Sequence, residues 1–133
     1  MFVIEDDNHE MFGFYFNKQI SLNEKYIESE TDKYSFYFIL NSKRKTSPMN
    51  FNQRTNKCPY GIHLFSKHSD KLIRLGDISL FKEDSKEKSY CRGINGSHDG
   101  NYYGINDGLC GMDERKNGQL FFIPKRILVI QMG

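Results

Sequence analysis

The sequence predicts a mostly β protein, an antiparallel two-sheet β-sandwich with one or two short helices. Three observations support this fold class. About eight short apolar or aromatic runs are separated by polar turn residues, a spacing typical of sandwiches. Aromatic residues make up 14% of the chain, with eleven Phe, eight Tyr and no Trp, so rings are expected to fill the space between the sheets. One segment alone shows a helix-start pattern.

The length of 133 residues predicts a single domain spanning 1–133. The net charge of +2 is too small to indicate nucleic-acid binding by electrostatics alone. Cys58, Cys91 and Cys110 include no C-x-x-C pair, which favours reduced thiols inside the cell. Neither a secretory signal nor an apolar stretch of ~20 residues is present. We therefore expect a soluble cytoplasmic protein, with the nucleus as the alternative location.

Two apolar runs, Met1–Ile4 and Met11–Phe16, open the chain and predict two antiparallel strands joined by a polar loop. Neither run alternates apolar with polar residues, so both are expected to be buried on both faces, at the centre of a sheet. Gly13 interrupts the second run. Glycine within a strand marks a bulge, a bend or the close approach of another backbone.

The segment Ser21-Leu22-Asn23-Glu24 fits a capping box and predicts one or two helical turns through Glu28, with a polar linker as the alternative. The run Tyr34–Leu40 predicts a strand. The face of this strand that we expect to meet the opening hairpin carries Tyr34, Phe36, Phe38 and Leu40.

Residues 41–59 lose the strand periodicity and predict a long surface loop, with a short strand around 49–51. The loop contains five basic residues, which are Lys43, Arg44, Lys45, Arg54 and Lys57. They are candidate partner-binding residues, because such a patch could contact DNA or RNA phosphates or act as a nuclear address. A solvated loop is the alternative.

Strand patterns resume at Tyr60–Phe65. The runs Leu72–Leu75 and Ile78–Phe81 fit either two short strands or one strand with a bulge. The mixed charges of Lys82–Lys88 predict a solvated loop.

Residues 93–118 hold seven of the eleven glycines and predict tight turns between short strands. Asn-Gly pairs at 95–96 and 117–118 both fit hairpin turns. The run Gln119–Ile123 precedes a break at Pro124. The last run, Ile127–Ile130, is apolar on both faces, so we expect a second central strand that lies near the first.

The order of these segments resembles that of the TLDc domain, the module of the oxidation-resistance proteins. The residues that carry the resemblance are Met11-Phe12-Gly13-Phe14-Tyr15, Ser35–Phe38, Tyr60–Phe65, Leu75-Gly76-Asp77 and Ile127–Met132. The resemblance covers essentially the whole chain, as a divergent copy without the family's usual N-terminal portion. It implies a two-sheet sandwich with a few helices and a role in oxidative stress. For some members it also implies binding to the vacuolar proton-pumping ATPase, and it supplies no catalytic residues.

No residue set predicts an enzyme, a metal site or a cofactor. Cys58, His63 and His68 lack the paired spacing of a zinc site and its fourth ligand. Ser66, His68 and Asp70 are the residue types of a hydrolase triad, but they lie within one turn, where they rarely point at one another. The sequence therefore predicts a non-enzymatic protein.

Cys91 is the candidate redox residue, because the neighbouring Arg92 favours the thiolate. The alternative is a small apolar residue within a strand. Together with the resemblance, the sequence predicts a protein-interaction module in stress response or in regulation of the vacuolar proton-pumping ATPase. The alternative function is a nucleic-acid-binding regulatory protein that uses the basic loop 43–57.

Overall fold

The fold is mostly β, as predicted. A computed structural model describes residues 1–19, 34–42, 49–52, 61–76, 78–92, 115–116 and 119–132. These residues form eleven strands in two antiparallel sheets and contain no helix. It follows that none of them belongs to a helix long and apolar enough to cross a bilayer. The helix predicted at 21–28 lies outside these ranges.

The first sheet has five strands, and the opening hairpin occupies its centre. The strands are β1 (Phe2–Asp6), β2 (Met11–Tyr15), β3 (Phe36–Asn41), β4 (Met49–Asn52) and β11 (Pro124–Val129). Their order in the sheet is β11-β1-β2-β3-β4. The prediction that the first and last strands lie together is confirmed, because β1 and β11 pair antiparallel with Val3 opposite Leu128.

The second sheet has six strands. They are β5 (Ile62–Leu64), β6 (Lys71–Leu75), β7 (Ile78–Phe81), β8 (Tyr90–Arg92), β9 (Arg115–Lys116) and β10 (Gln119–Phe121), in the order β5-β6-β7-β8-β10-β9. Residues 72–75 and 78–81 lie in two separate strands, β6 and β7, so the first of the two predicted alternatives is confirmed. Gly76 lies at that turn with a φ of 57°, a left-handed conformation that glycine adopts without steric cost. β9 and β10 pair on either side of the predicted 117–118 turn.

Aromatic and aliphatic side chains from both sheets meet in one core. The ring of Phe12 meets that of Phe122 edge-on, with 5.0 Å between the ring centres. Tyr37 packs on Phe14 at 4.9 Å and donates a hydrogen bond from its hydroxyl to the carbonyl oxygen of Leu75 in the other sheet, at 3.5 Å. Full burial of one such side chain stabilises a fold by about 1.5–3 kcal/mol, so the rings bind the two sheets together.

The predicted face of β3 meets the opening hairpin only in part: the ring of Phe38 lies beside Gly13, but the other face of the strand fills the core between the sheets. Tyr37 and Ile39 enter the core, whereas Tyr34 and Leu40 are exposed. β3 meets the opening hairpin by pairing with β2 in the same sheet, and Phe36 stacks on Tyr15 on the opposite face, at 4.8 Å. Both faces of β3 carry rings, so the period of two separates the faces without showing which one is covered.

The prediction of a central last strand is wrong. β11 pairs with β1, and among the described residues no strand pairs with its other edge. Lys125 through Val129 are all exposed. A run that is apolar on both faces suits burial, but it does not show what covers it.

Candidate functional site

The exposed apolar surface of the described residues is concentrated at β11. Six of the nine large apolar side chains that are exposed there lie between positions 123 and 132. We call these six the β11 patch: Ile123, Ile127, Leu128, Val129, Ile130 and Met132. Val129 is the most exposed of the six, with 68% of its surface exposed. Scattered exposed apolar residues are ordinary, but a contiguous group marks an interaction surface.

The outer edge of β11 presents backbone hydrogen-bonding groups next to these apolar side chains. Met1 and Ile130 exchange two hydrogen bonds, at 2.7 and 2.8 Å, across the β1 side of this strand. Because alternate residues of an antiparallel ladder face the same neighbour, Leu128 also bonds towards β1, while Ile127 and Val129 direct their N–H and C=O groups outward. No strand of the described residues pairs with that outer edge.

The charges of β11 are confined to its first half. Arg126 lies opposite Glu5 in the pairing with β1, and its Nη2 donates to Glu5 Oε2 at 2.5 Å. Hydrogen bonds from His9 and then Arg126 lower the pKa of Glu5, so the carboxylate that holds Arg126 is ionised at neutral pH. Lys125 is exposed beside this pair. Residues 127–130 carry no charge and form the apolar half of the strand.

The sequence did contain signals for an edge position. Pro124 is the first residue of β11, and proline is confined to edge strands, strand starts and bulges because it lacks an N–H. Charged residues such as Lys125 are also typical of edge strands, where they oppose uncontrolled pairing. The apolar run Ile127–Ile130 nevertheless predicts a central strand, because it shows no alternation of apolar and polar residues.

A second feature is the buried carboxyl of Asp6 in the β1–β2 turn. Its Oδ1 accepts backbone hydrogen bonds from Asn8 and Glu10, both at 2.9 Å. Its Oδ2 is buried and has no hydrogen-bond partner among the described residues. Burial raises the pKa of Asp6, although the two backbone hydrogen bonds oppose the shift. The side chain therefore organises the turn at an electrostatic cost.

Cys91 lies in β8 within the core, with 1% of its surface exposed. A redox-sensing thiol has to be accessible to oxidant. The burial therefore favours the alternative, a small apolar residue in a strand. The other candidate residues from the sequence lie outside the described ranges, namely Lys43, Arg44, Lys45, Arg54, Lys57, Cys58 and Cys110.

His63 and His68 lie in and after β5, the first strand of the second sheet. His63 lies in β5 and stacks on Phe65, with 3.9 Å between the ring centres. Ser66, His68 and Asp70 follow in the connection to β6, where the amide of Ser69 donates to the Ser66 carbonyl at 3.0 Å. Within the ranges that the structure describes, no three His, Cys, Asp or Glu side chains are grouped to hold a metal ion.

Comparison of the chain with protein-family models, with curated proteins and with solved structures gives no match. The TLDc resemblance therefore remains a prediction from the sequence.

Proposed function

We propose that this chain is a non-enzymatic protein-interaction domain and that the β11 edge is its contact surface. The observation that carries the proposal is the coincidence of the β11 patch with the outward backbone groups of Ile127 and Val129. A partner strand added to a sheet edge takes up such groups by main-chain hydrogen bonding, and its side chains cover the apolar neighbours.

The chemistry of this edge suits a protein better than a nucleic acid. Nucleic-acid affinity depends on cations that neutralise phosphates. At β11 the guanidinium of Arg126 is bonded to Glu5 and residues 127–130 are uncharged, which leaves Lys125 as the one exposed cation of this strand without a carboxylate opposite it among the described residues. Binding of DNA or RNA through the basic loop 43–57 stays a separate prediction, because the five basic residues of that loop lie outside the described residues.

The resemblance to the TLDc domain supplies a candidate partner and setting. We propose the vacuolar proton-pumping ATPase as that partner, in a cytoplasmic response to oxidative stress. This part of the proposal is independent of the geometry of β11, and a different protein could occupy the same edge.

The experiment compares three tagged forms of the full chain for binding to purified vacuolar proton-pumping ATPase and for proteins captured from the native cell. The forms are the wild type, Val129→Lys and the control Leu72→Lys. Leu72 is also an exposed apolar residue, 42% exposed, but it lies in β6 of the other sheet. We expect Val129→Lys to lose the captured partners and Leu72→Lys to keep them. Equal capture by all three forms would contradict the use of β11.

Loss of capture on replacement of Lys43, Arg44 and Lys45 by Ala, with Val129→Lys unaffected, would instead favour the basic loop. A salt-dependent mobility shift with genomic DNA, lost in the same triple variant, would identify nucleic acid as its ligand.

A further inference from the structure

We propose that the occupant of the β11 edge is a second copy of this chain, paired antiparallel through β11 about a two-fold axis at Leu128. The two first sheets then form one continuous sheet. This inference rests on the proposed function, because both assign the same strand as the contact surface. It adds what occupies the edge in the isolated chain and the register of the pairing, and a partner protein bound at β11 would displace the second copy.

The apolar side chains of β11 lack a neighbouring strand at its outer edge. β1 flanks one edge of the strand, and no strand of the described residues pairs with the other. Pro124, Lys125 and Arg126 protect the first half of this edge against pairing, as is usual for edge strands, whereas Ile127–Val129 leave the second half open. A second β11 supplies a strand whose apolar half pairs with this one, and its side chains pack against Ile127, Leu128 and Val129 on both faces of the sheet.

The directions of the β11 backbone groups fix the register of the pairing. Ile127 and Val129 face outward, whereas Leu128 bonds towards β1. An axis at Leu128 places Ile127 opposite Val129 of the second copy, so that each pair exchanges two hydrogen bonds. An axis midway between positions 127 and 128 would set outward residues against inward ones and break the ladder. The geometry therefore requires an axis that passes through a residue.

The positions of Lys125 and Arg126 select the orientation and the axis. In the antiparallel arrangement Arg126 lies opposite Ile130 of the second copy, and Lys125 lies opposite Gln131. A parallel in-register arrangement would bring both Lys125 side chains together and both Arg126 side chains together, and like charges directly opposite are destabilising. Moving the axis from Leu128 to Ile127 would set Lys125 against the apolar Val129. The axis at Leu128 also leaves Pro124, which has no N–H to donate, outside the apolar centre.

The resulting dimer is closed and isologous, because each copy contributes the same strand to the contact. A contact made by one strand per copy is at the small end of specific interfaces. We therefore expect reversible association, with a dissociation constant on the order of 10 μM.

The first test is sedimentation velocity on the full chain between about 1 and 100 μM, a range that brackets this affinity. The wild type is expected to shift from monomer to dimer. Val129→Lys should weaken association at least about tenfold, and the matched control Leu72→Lys should associate as the wild type does. Circular dichroism and the thermal midpoint of each variant verify that the fold is kept. A wild type that stays monomeric, or equal association of wild type and Val129→Lys, would overturn the proposal.

The second test addresses the register. Leu128→Cys is made in a chain that also carries Cys58→Ser and Cys110→Ser. Directly opposed residues that do not exchange hydrogen bonds have Cα atoms about 4.5 Å apart, a separation that a disulfide can span. We expect a covalent dimer on mild oxidation and none from Leu72→Cys. Faster cross-linking by Ile127→Cys than by Leu128→Cys would overturn the axis at Leu128.

The two proposals fail in different ways. If the chain is monomeric but partner capture still depends on Val129, the proposed contact surface stands and the second copy is wrong. If neither capture nor association depends on Val129, both proposals are wrong.

Discussion

Arg126 on the last strand donates a hydrogen bond to Glu5 on the first strand, with 2.5 Å between Nη2 and Oε2. The contact pairs the two terminal strands of the described fold at their charged ends. Residues 127–130 follow this contact and carry no charge. No strand of the described residues pairs with the outer edge of β11 there. The apolar edge is therefore held in place by a polar contact beside it.

Gly13 allows β1 and β2 to approach closely, and we expect its replacement to disturb the sheet. A Cβ at this position would lie 1.9 Å from the carbonyl oxygen of Phe2 and 2.7 Å from Cζ of Phe38. Gly13→Ala should lower the free energy of unfolding by about 3 kcal/mol, measured by urea denaturation, because the backbone of β1 has to shift. The control Leu40→Ala, at a partly exposed site in β3, should cost less than about 1 kcal/mol. Similar losses in both variants would show that the approach is not restrictive.

Asp6 should make stability depend on pH. Its pKa is raised above the ordinary value of 3.8, so the folded chain holds this proton more tightly than the unfolded chain does. The stability contributed by the protonated side chain is present below pH 3.8 and is lost as pH rises through the folded pKa. Asp6→Asn keeps an oxygen for the amides of Asn8 and Glu10 but does not titrate.

Relative to the wild type, the Asp6→Asn variant should therefore gain stability between about pH 4 and 7, as measured by urea denaturation at several pH values. Asp6→Ala removes the acceptor as well and should cost about 1–3 kcal/mol where Asp6→Asn does not. Parallel pH profiles for the wild type and Asp6→Asn would contradict the assigned role.

Cys91 should be chemically inert in the folded protein. In a Cys58→Ser, Cys110→Ser background it is the remaining thiol, and the structure leaves 1% of its surface exposed. We expect a thiol reagent to modify it at least about a hundredfold more slowly in buffer than in denaturing urea, because the thiolate has to reach solvent to react. Rapid modification of the folded chain would restore Cys91 as a redox-sensor candidate.

The opening hairpin and its central position in the sheet could be predicted because they depend on local patterns. The runs at β1 and β2 show no alternation, and both strands lie between neighbours in the sheet. Gly13 was expected to mark a bulge, a bend or a close approach. The structure shows the close approach, to the backbone of Phe2.

Features that depend on distant parts of the chain could not be predicted in the same way. The composition of β11 indicates that both of its faces are apolar, but it does not indicate which strands lie beside it in the sheet. The inward face of β3 is decided by the contact of Tyr37 with Leu75 in the second sheet, which lies far away in sequence. The turn that contains Asp6 is also held by a distant segment, because Asp6 lies opposite Pro124 in the strand pairing and the Asp7 amide donates to the carbonyl oxygen of Ile123 at 3.0 Å.

Amide hydrogen exchange along β11, followed by NMR at low and high protein concentration, tests the central claim most directly. The Leu128 amide bonds towards β1 and should be protected at both concentrations, whereas the Ile127 and Val129 amides should become protected only as the concentration rises. Outward amides whose exchange does not change with concentration, or new protection confined to other strands, would contradict pairing through β11.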